Sequence, residues 1–232
     1  MLERFWTRVT AVSPALPGWV LLACAAVAAV LVLSPALWRY SRNAVTIAHE
    51  GAHGAAALAT GRRLAGIRLH SDTSGLTVSA GRPTGPGMVV TGAAGYTGPG
   101  LIGLGAAALL AAGYAVGLLW ALLALLALLL LQIRNWFGLW SVLVTGGLVL
   151  GATWWLPPGG QAAFAHLVTW FLLLAAPRTV VELQRKRARG VARDSDADQL
   201  ARITPLPGLA WVGLFLLVDA GALVLGSWWL LT

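Results

Sequence analysis

"TIAHEGAHGA", residues 46–55, puts His49, Glu50 and His53 inside an apolar run. Ionisable side chains are expensive in hydrocarbon and are rarely kept there without a use. On a helix, residues four apart share a face at about 6 Å, so His49 and His53 can hold one ion. Neutral imidazoles suit zinc, and the HExxH spacing is a metal-site signature. Glu50 falls beside such an ion rather than on it, where it can take a proton from a bound water whose pKa the ion lowers to about 7. The expected cofactor is Zn2+, with His49 and His53 as ligands and Glu50 as the catalytic base.

The surroundings of this stretch are those of a membrane protein. The 232 residues are 58% hydrophobic and 10% charged, with a mean hydropathy of +0.78, whereas a soluble domain carries about 25% charged residues. Several apolar runs approach or exceed the roughly 20 residues that span a bilayer as a helix. The runs are continuous rather than alternating, which excludes a β-barrel. The expected fold is an all-α polytopic membrane protein, a single integral membrane domain over 1–232. Seven segments are read as transmembrane helices: 17–37, 44–60, two within 88–132 with a turn near Gly113, 136–156, 161–176 after the break "LPPGG", and 208–231.

Two polar stretches, 61–87 and 178–207, are expected to be cytosolic loops. The first contains "RLAGIRLHSDTSGLTVSA". Leu64, Ile67, Leu69, Leu76 and Val78 alternate imperfectly around the turn-forming "SDTSG", which predicts a short β-hairpin after the zinc-binding helix. The net charge is +8, and with the N-terminus inside, all of the 16 Lys and Arg except Arg39 and Arg42 fall on cytosolic segments (1–16, 61–87, 134–135 and 178–207). The positive-inside rule thus predicts a multi-pass plasma-membrane protein with a cytosolic N-terminus. Arg4 and Arg8 precede a first run too long for a signal peptide, so an uncleaved span is expected. Trp38, Trp154, Trp155, Trp228 and Trp229 fall at predicted outer ends. "RKRARGVAR", 185–193, sets topology and can touch anionic headgroups of the bilayer. Nucleic acid is not an expected partner, because no domain organises a surface for it. The single cysteine, Cys24, excludes an intrachain disulfide and a Cys-based metal site.

HExxH in a membrane segment, followed by a small β element, resembles the site-2 protease class of intramembrane zinc metalloproteases. In "AAGYTGPGLIG", 93–103, Gly95, Gly98 and Gly100 let helices approach closely and Pro99 kinks the span; the stretch is similar to the small-residue region that follows the zinc helix in that class, and the resemblance implies that these residues line a substrate gap. "RNWFG", 134–138, resembles the Asn-containing approach to the second motif, and "SDADQLARITPLP", 195–207, the tail of a compact bacterial branch. The resemblance covers residues 44–207 and implies hydrolysis of peptide bonds in membrane-associated protein substrates. One departure matters. The class takes its third ligand from an Asp-Gly pair, and here the corresponding place reads "LVTGG", with Thr145 where Asp is expected.

Asp196 is the expected third ligand, from a cytosolic "RDSDAD" segment that must fold back toward the zinc helix; Asp219 and Asn135 are the alternatives. Asn135 is also a candidate for binding substrate backbone or for capping the next span. Asp194 and Asp198 read as solvated partners of nearby Arg, His70 as a surface residue, His166 as helix packing and Asp72 as a turn residue. Two other functions fit the same motif. A divalent-metal transporter would need further ligands, for which only His166 and Asp219 qualify. An inactive protease-like scaffold would have kept HExxH and lost the third ligand.

Overall fold

The computed structural model describes residues 2–192 and 194–232; Arg193 of the basic run lies outside them, as do the side chains of Leu2, Arg4, Phe5 and Arg8. A short helix α1 (Leu2–Val9) precedes α2 (Gly18–Leu33), which begins after Pro17. Ser34 stands before Pro35, and the residue before a proline is pushed out of the helical region. Ser34 is extended at φ −72°, ψ 120°. The next helix, α3 (Pro35–Ala59), starts on that proline and leaves at 100° to α2. The HEGAH stretch lies in its second half.

The hairpin follows as predicted. Strands β1 (Arg63–Leu69) and β2 (Gly75–Ala80) pair antiparallel, from Leu69 with Gly75 to Arg63 with Ala80, with a bulge between Leu64 and Gly66. Asp72 closes the turn by accepting from the Ser74 amide at 2.9 Å. Ile67 and Leu69 are buried against Ile47 of α3 and Val142 further along the chain. The outer edge of β1 is closed by the chain itself. The Ile67 amide donates to Gln132 O at 2.8 Å, the Arg134 amide donates to Ile67 O at 2.9 Å, and Asn135 continues the pairing with its side chain.

Six more helices complete the fold: α4 (Pro86–Ala111), α5 (Ala115–Leu130), α6 (Trp136–Trp155), α7 (Pro158–Ala188), α8 (Asp196–Ile203) and α9 (Gly208–Leu231). Gly113, at φ +84°, makes the turn between α4 and α5, and Pro157–Pro158 separate α6 from α7. Helix α4 is the central element and packs on α3, α7 and α9. At Gly98 a Cβ would overlap that of Ala52, so the α3 and α4 backbones approach as only small residues allow.

The architecture is helical and multi-pass, with one small sheet, but seven separate crossings are not what the helices support. By length and composition α4, α6, α7 and α9 can cross a membrane, and α2 with α3 makes a fifth crossing if the bent pair counts once. The expected runs 17–37 and 44–60 are therefore the two arms of that pair, broken at Ser34–Pro35. Helix α5 is shorter, at 16 residues. The run 161–176 and the start of the charged stretch after it form one 31-residue helix, α7, which continues through Pro177.

The bend also changes which segments lie together. The Ser13 amide donates to Gly113 O at 2.8 Å, so the N-terminal segment sits at the C-terminal end of α4, whereas the hairpin precedes its N-terminal end. The 26 residues of α4 separate the two by about 39 Å. Segments 1–16 and 61–87 thus lie at opposite ends of α4, whereas the sequence reading puts both on one cytosolic side. Counted once, the bent α2–α3 pair gives one crossing before the hairpin in place of the two expected. Arg42, expected on the outer side, instead reaches the hairpin end, where it pairs with Glu182 of α7 and donates to Thr73 in the β-turn. In a Cys24→Ala background, cysteines at Ala15 and Ser71 are expected to react with a membrane-impermeant maleimide from opposite sides of sealed vesicles; labelling from the same side would overturn this arrangement.

Candidate metal centre

Helix α3 carries His49, Glu50 and His53 along the start of α4. The His53 Nδ1–H donates to the Thr91 carbonyl at 2.7 Å. That acceptor fixes the tautomer and leaves the Nε2 lone pair facing inward, the usual arrangement of a metal-binding histidine. His53 Nε2 lies 3.2 Å from His49 Nε2 and 3.2 Å from Asp196 Oδ2, and His49 Nε2 lies 3.4 Å from the same oxygen. Ligand atoms around a tetrahedral zinc with bonds of 2.0–2.1 Å stand about 3.3–3.4 Å apart. Three lone-pair atoms this close repel one another unless a cation sits among them. The donor set therefore fits a zinc ion with a fourth position left for water or substrate. At Gly95 of α4 a Cβ would run into both imidazoles, so only glycine leaves the rings their place.

Glu50 is 4% exposed. Its Oε2 accepts from Thr77 Oγ1 of β2 at 2.6 Å, and its Oε1 lies 4.0 Å from His49 Nε2. The hairpin thus orients the carboxylate beside the cluster. Tyr96 of α4 sets its ring edge against His49, with centroids 4.7 Å apart, and stacks on Phe215 of α9 at 5.5 Å.

Asp196 arrives because α8 folds back. Ser195 caps the helix, accepting from the Asp198 amide at 3.4 Å, and Asp196 is the first helical residue. Ala197 and Leu200 are buried with Trp211, Val212 and Phe215 of α9, against Val89 and Ala93 of α4. Arg187 at the end of α7 binds Asp198 at 2.6 Å, and Trp211 Nε1 donates to Thr204 Oγ1 at 3.0 Å.

The other candidates lie elsewhere. Asp219 is fully buried in α9, against Gly100 and Ala176, and neither of its oxygens has a hydrogen-bond partner. Asn135 occupies the capping position of α6 but makes no capping bond. Its amide grips the β1 backbone instead, donating to Leu69 O at 2.6 Å and accepting from Leu69 N at 3.1 Å. Thr145 donates to Ser141 O within α6. Asp194 pairs with Arg202, and Asp198 with Arg187. His70 is exposed, and His166 shares a hydrogen bond with its own helix at Ala162 O.

Sequence reasoning missed Thr77, Tyr96 and the Thr91 carbonyl. The small-residue run around Gly95 signalled close packing there, but nothing in a short strand marks Thr77 as the partner of Glu50.

A family model described as Peptidase M50B-like matches residues 22–226, a span that holds His49, Glu50, His53 and Asp196. No curated protein and no solved structure matches the chain. With the match running from α2 to α9, the chain belongs to the Peptidase M50B-like family, in keeping with the site-2 protease class that its HEGAH helix and hairpin resemble.

Proposed function

We propose that this protein is a zinc-dependent intramembrane endopeptidase of the site-2-protease type, cutting membrane-associated protein substrates. The family is one of metallopeptidases. The observation that carries the reading is a buried carboxylate, Glu50, set beside the converging atoms of His49, His53 and Asp196. His49, His53 and Asp196 hold the ion, and this nitrogen-and-oxygen donor set suits zinc. When bound, the ion supplies Lewis acidity toward the scissile carbonyl and the attacking water.

Glu50 moves the proton. Thr77 occupies Oε2, so Oε1 is the atom free to take a proton from the water. As the water oxygen adds to the carbonyl carbon and the C–N bond breaks, the same carboxyl passes the proton to the leaving amine. A helical substrate has to unwind first, because its amides are hydrogen-bonded within the helix. The hairpin favours an extended segment. Since 132–135 close the β1 edge, β2 offers the sheet's other edge, next to Glu50, and among the described residues no backbone group pairs with it there. A substrate strand added to that edge gains main-chain hydrogen bonds.

For orientation we place the hairpin, with Arg62, Arg63, Arg68 and Arg82, and the α7 extension, with Arg185, Lys186, Arg187 and Arg189, on the cytosolic face of the plasma membrane. The N-terminal segment then lies on the far side; the α2–α3 pair, α4, α6, α7 and α9 are the crossings by length and composition, and the 16-residue α5 returns the chain from Gly113 to the hairpin side. A transport role finds little support, since His166 and Asp219 form no path of ligands leading to or from the cluster.

Two measurements test the reading. Glu50→Gln is expected to keep its zinc while losing about 10²–10⁴-fold in cleavage of a reporter membrane segment; cleavage at the parent rate would sink the assignment. Asp196→Ala is expected to purify without stoichiometric zinc and Asp219→Ala with it. The reverse pattern would move the third ligand to α9.

A further inference from the structure

The turn of the hairpin is strained, and α3 holds it. Thr73 sits at φ +65°, the one non-glycine residue with positive φ among the described residues. A β-branched side chain is strained in that region and persists where its surroundings over-determine it. The amide of Thr73 donates to His70 O within the turn, and its other two polar groups are held by α3. Its Oγ1 accepts from Arg42 Nη1, and its carbonyl accepts from Thr46 Oγ1 at 3.0 Å. Arg42 is aimed in turn. Its Nε pairs with Glu182 Oε2 of α7 at 3.3 Å, while Glu182 Oε1 accepts from Trp38 Nε1 at 2.7 Å and from Arg178 Nε at 3.2 Å. Arg178 also lies over the Trp38 ring at 4.4 Å, which locks the group.

The second attachment of the strand is at the catalytic carboxylate, through Thr77 and Glu50. Arg42 and Glu50 stand eight residues apart on one helix, about 12 Å, and they hold the turn residue Thr73, two residues before β2, and the strand residue Thr77. Strand β2 therefore runs along α3, fixed at both ends of the face that carries the metal centre. Between the two attachments Gly75 lies so close to Glu50 that a Cβ there would overlap the carboxylate. Small movements of β2 are thus felt directly at Glu50.

We propose that Arg42 is a positioning residue for hydrolysis: with Glu182 behind it, it clamps Thr73 in the left-handed conformation and so holds β2 in register over Glu50. The proposal rests on the endopeptidase reading for its effect on cleavage, but not for its effect on the strand. A substrate laid along β2 inherits that register, and misplacement by about 1 Å costs on the order of 10²-fold in rate. Releasing the clamp is expected to lower turnover rather than binding.

The test uses the full chain in detergent or lipid, with Cys24→Ala and a spin label at Leu76→Cys on the exposed face of β2. Arg42→Gln and Thr73→Val are each expected to raise the mobility of the label, with zinc content and thermal unfolding as in the parent. Thr73→Ser, which keeps the hydroxyl, is expected to restore the parent spectrum. In unlabelled chains, kcat per zinc-loaded molecule should fall at least 10-fold in Arg42→Gln and Thr73→Val, with KM changed less than 3-fold, and recover in Thr73→Ser. Should Arg42→Gln fail to fold, Thr73→Val and Thr73→Ser carry the same comparison. An unchanged label spectrum in Thr73→Val would overturn the clamp, as would a loss of folded protein or zinc with kcat per loaded molecule intact. If the parent itself cleaves nothing, the endopeptidase reading fails while the label still decides whether Arg42 fixes the strand.

Discussion

Two imidazole nitrogens and a carboxylate oxygen stand 3.2–3.4 Å apart at the edge of an apolar bundle. Such a group is stable when a cation neutralises it, and the rest of the structure serves to bring it together. His49 and His53 come from one helix by simple periodicity. Asp196 comes from a segment 143 residues away in sequence from His53, so α7 must end at the right height and α8 must turn back and bury Leu200 between α4 and α9. Glycine at 95 leaves the rings their space, and the Thr91 carbonyl orients the ring that faces Asp196.

What could be read in advance follows from the range of the interactions. The His49–His53 pair is an i, i+4 relation, and the hairpin rests on alternation and turn chemistry within 18 residues, so both are legible. Asp196 was legible only because the tail after it resembles a known branch; its charge pattern alone also suits a solvated cluster, as Asp194 and Asp198 in fact are. The bend at Ser34–Pro35 was visible as a proline, but whether a proline kinks one crossing or separates two depends on what packs against the second arm. That single ambiguity decides whether the N-terminal segment and the hairpin are read at the same end of the bundle; in the structure they sit at opposite ends of α4. Thr77, Tyr96 and the Arg42–Glu182 pair are tertiary contacts with no local signal.

The small sheet shows how few strands suffice when the chain supplies its own edge. Asn135 presents an amide that donates to and accepts from Leu69, much as a further strand residue would. A polar residue expected near the metal thus closes one side of the sheet, and among the described residues no backbone group pairs with the other side, next to Glu50. Burial of Ile67 and Leu69 against α3 and α6 keeps this two-stranded element in place, where an isolated hairpin would be marginal.

The long reach between partners has a consequence for biosynthesis. Helix α3 leaves the ribosome with Arg42, Glu50 and two histidines on it, but the Glu182 that pairs with Trp38 follows 144 residues behind that tryptophan, and Asp196 143 residues behind His53. At 5–20 residues per second this is a delay of roughly 7–29 s. Throughout that interval the nascent polar face has neither Glu182 nor Asp196 beside it. The chain therefore cannot bring His49, His53 and Asp196 together until nearly all of it has been made.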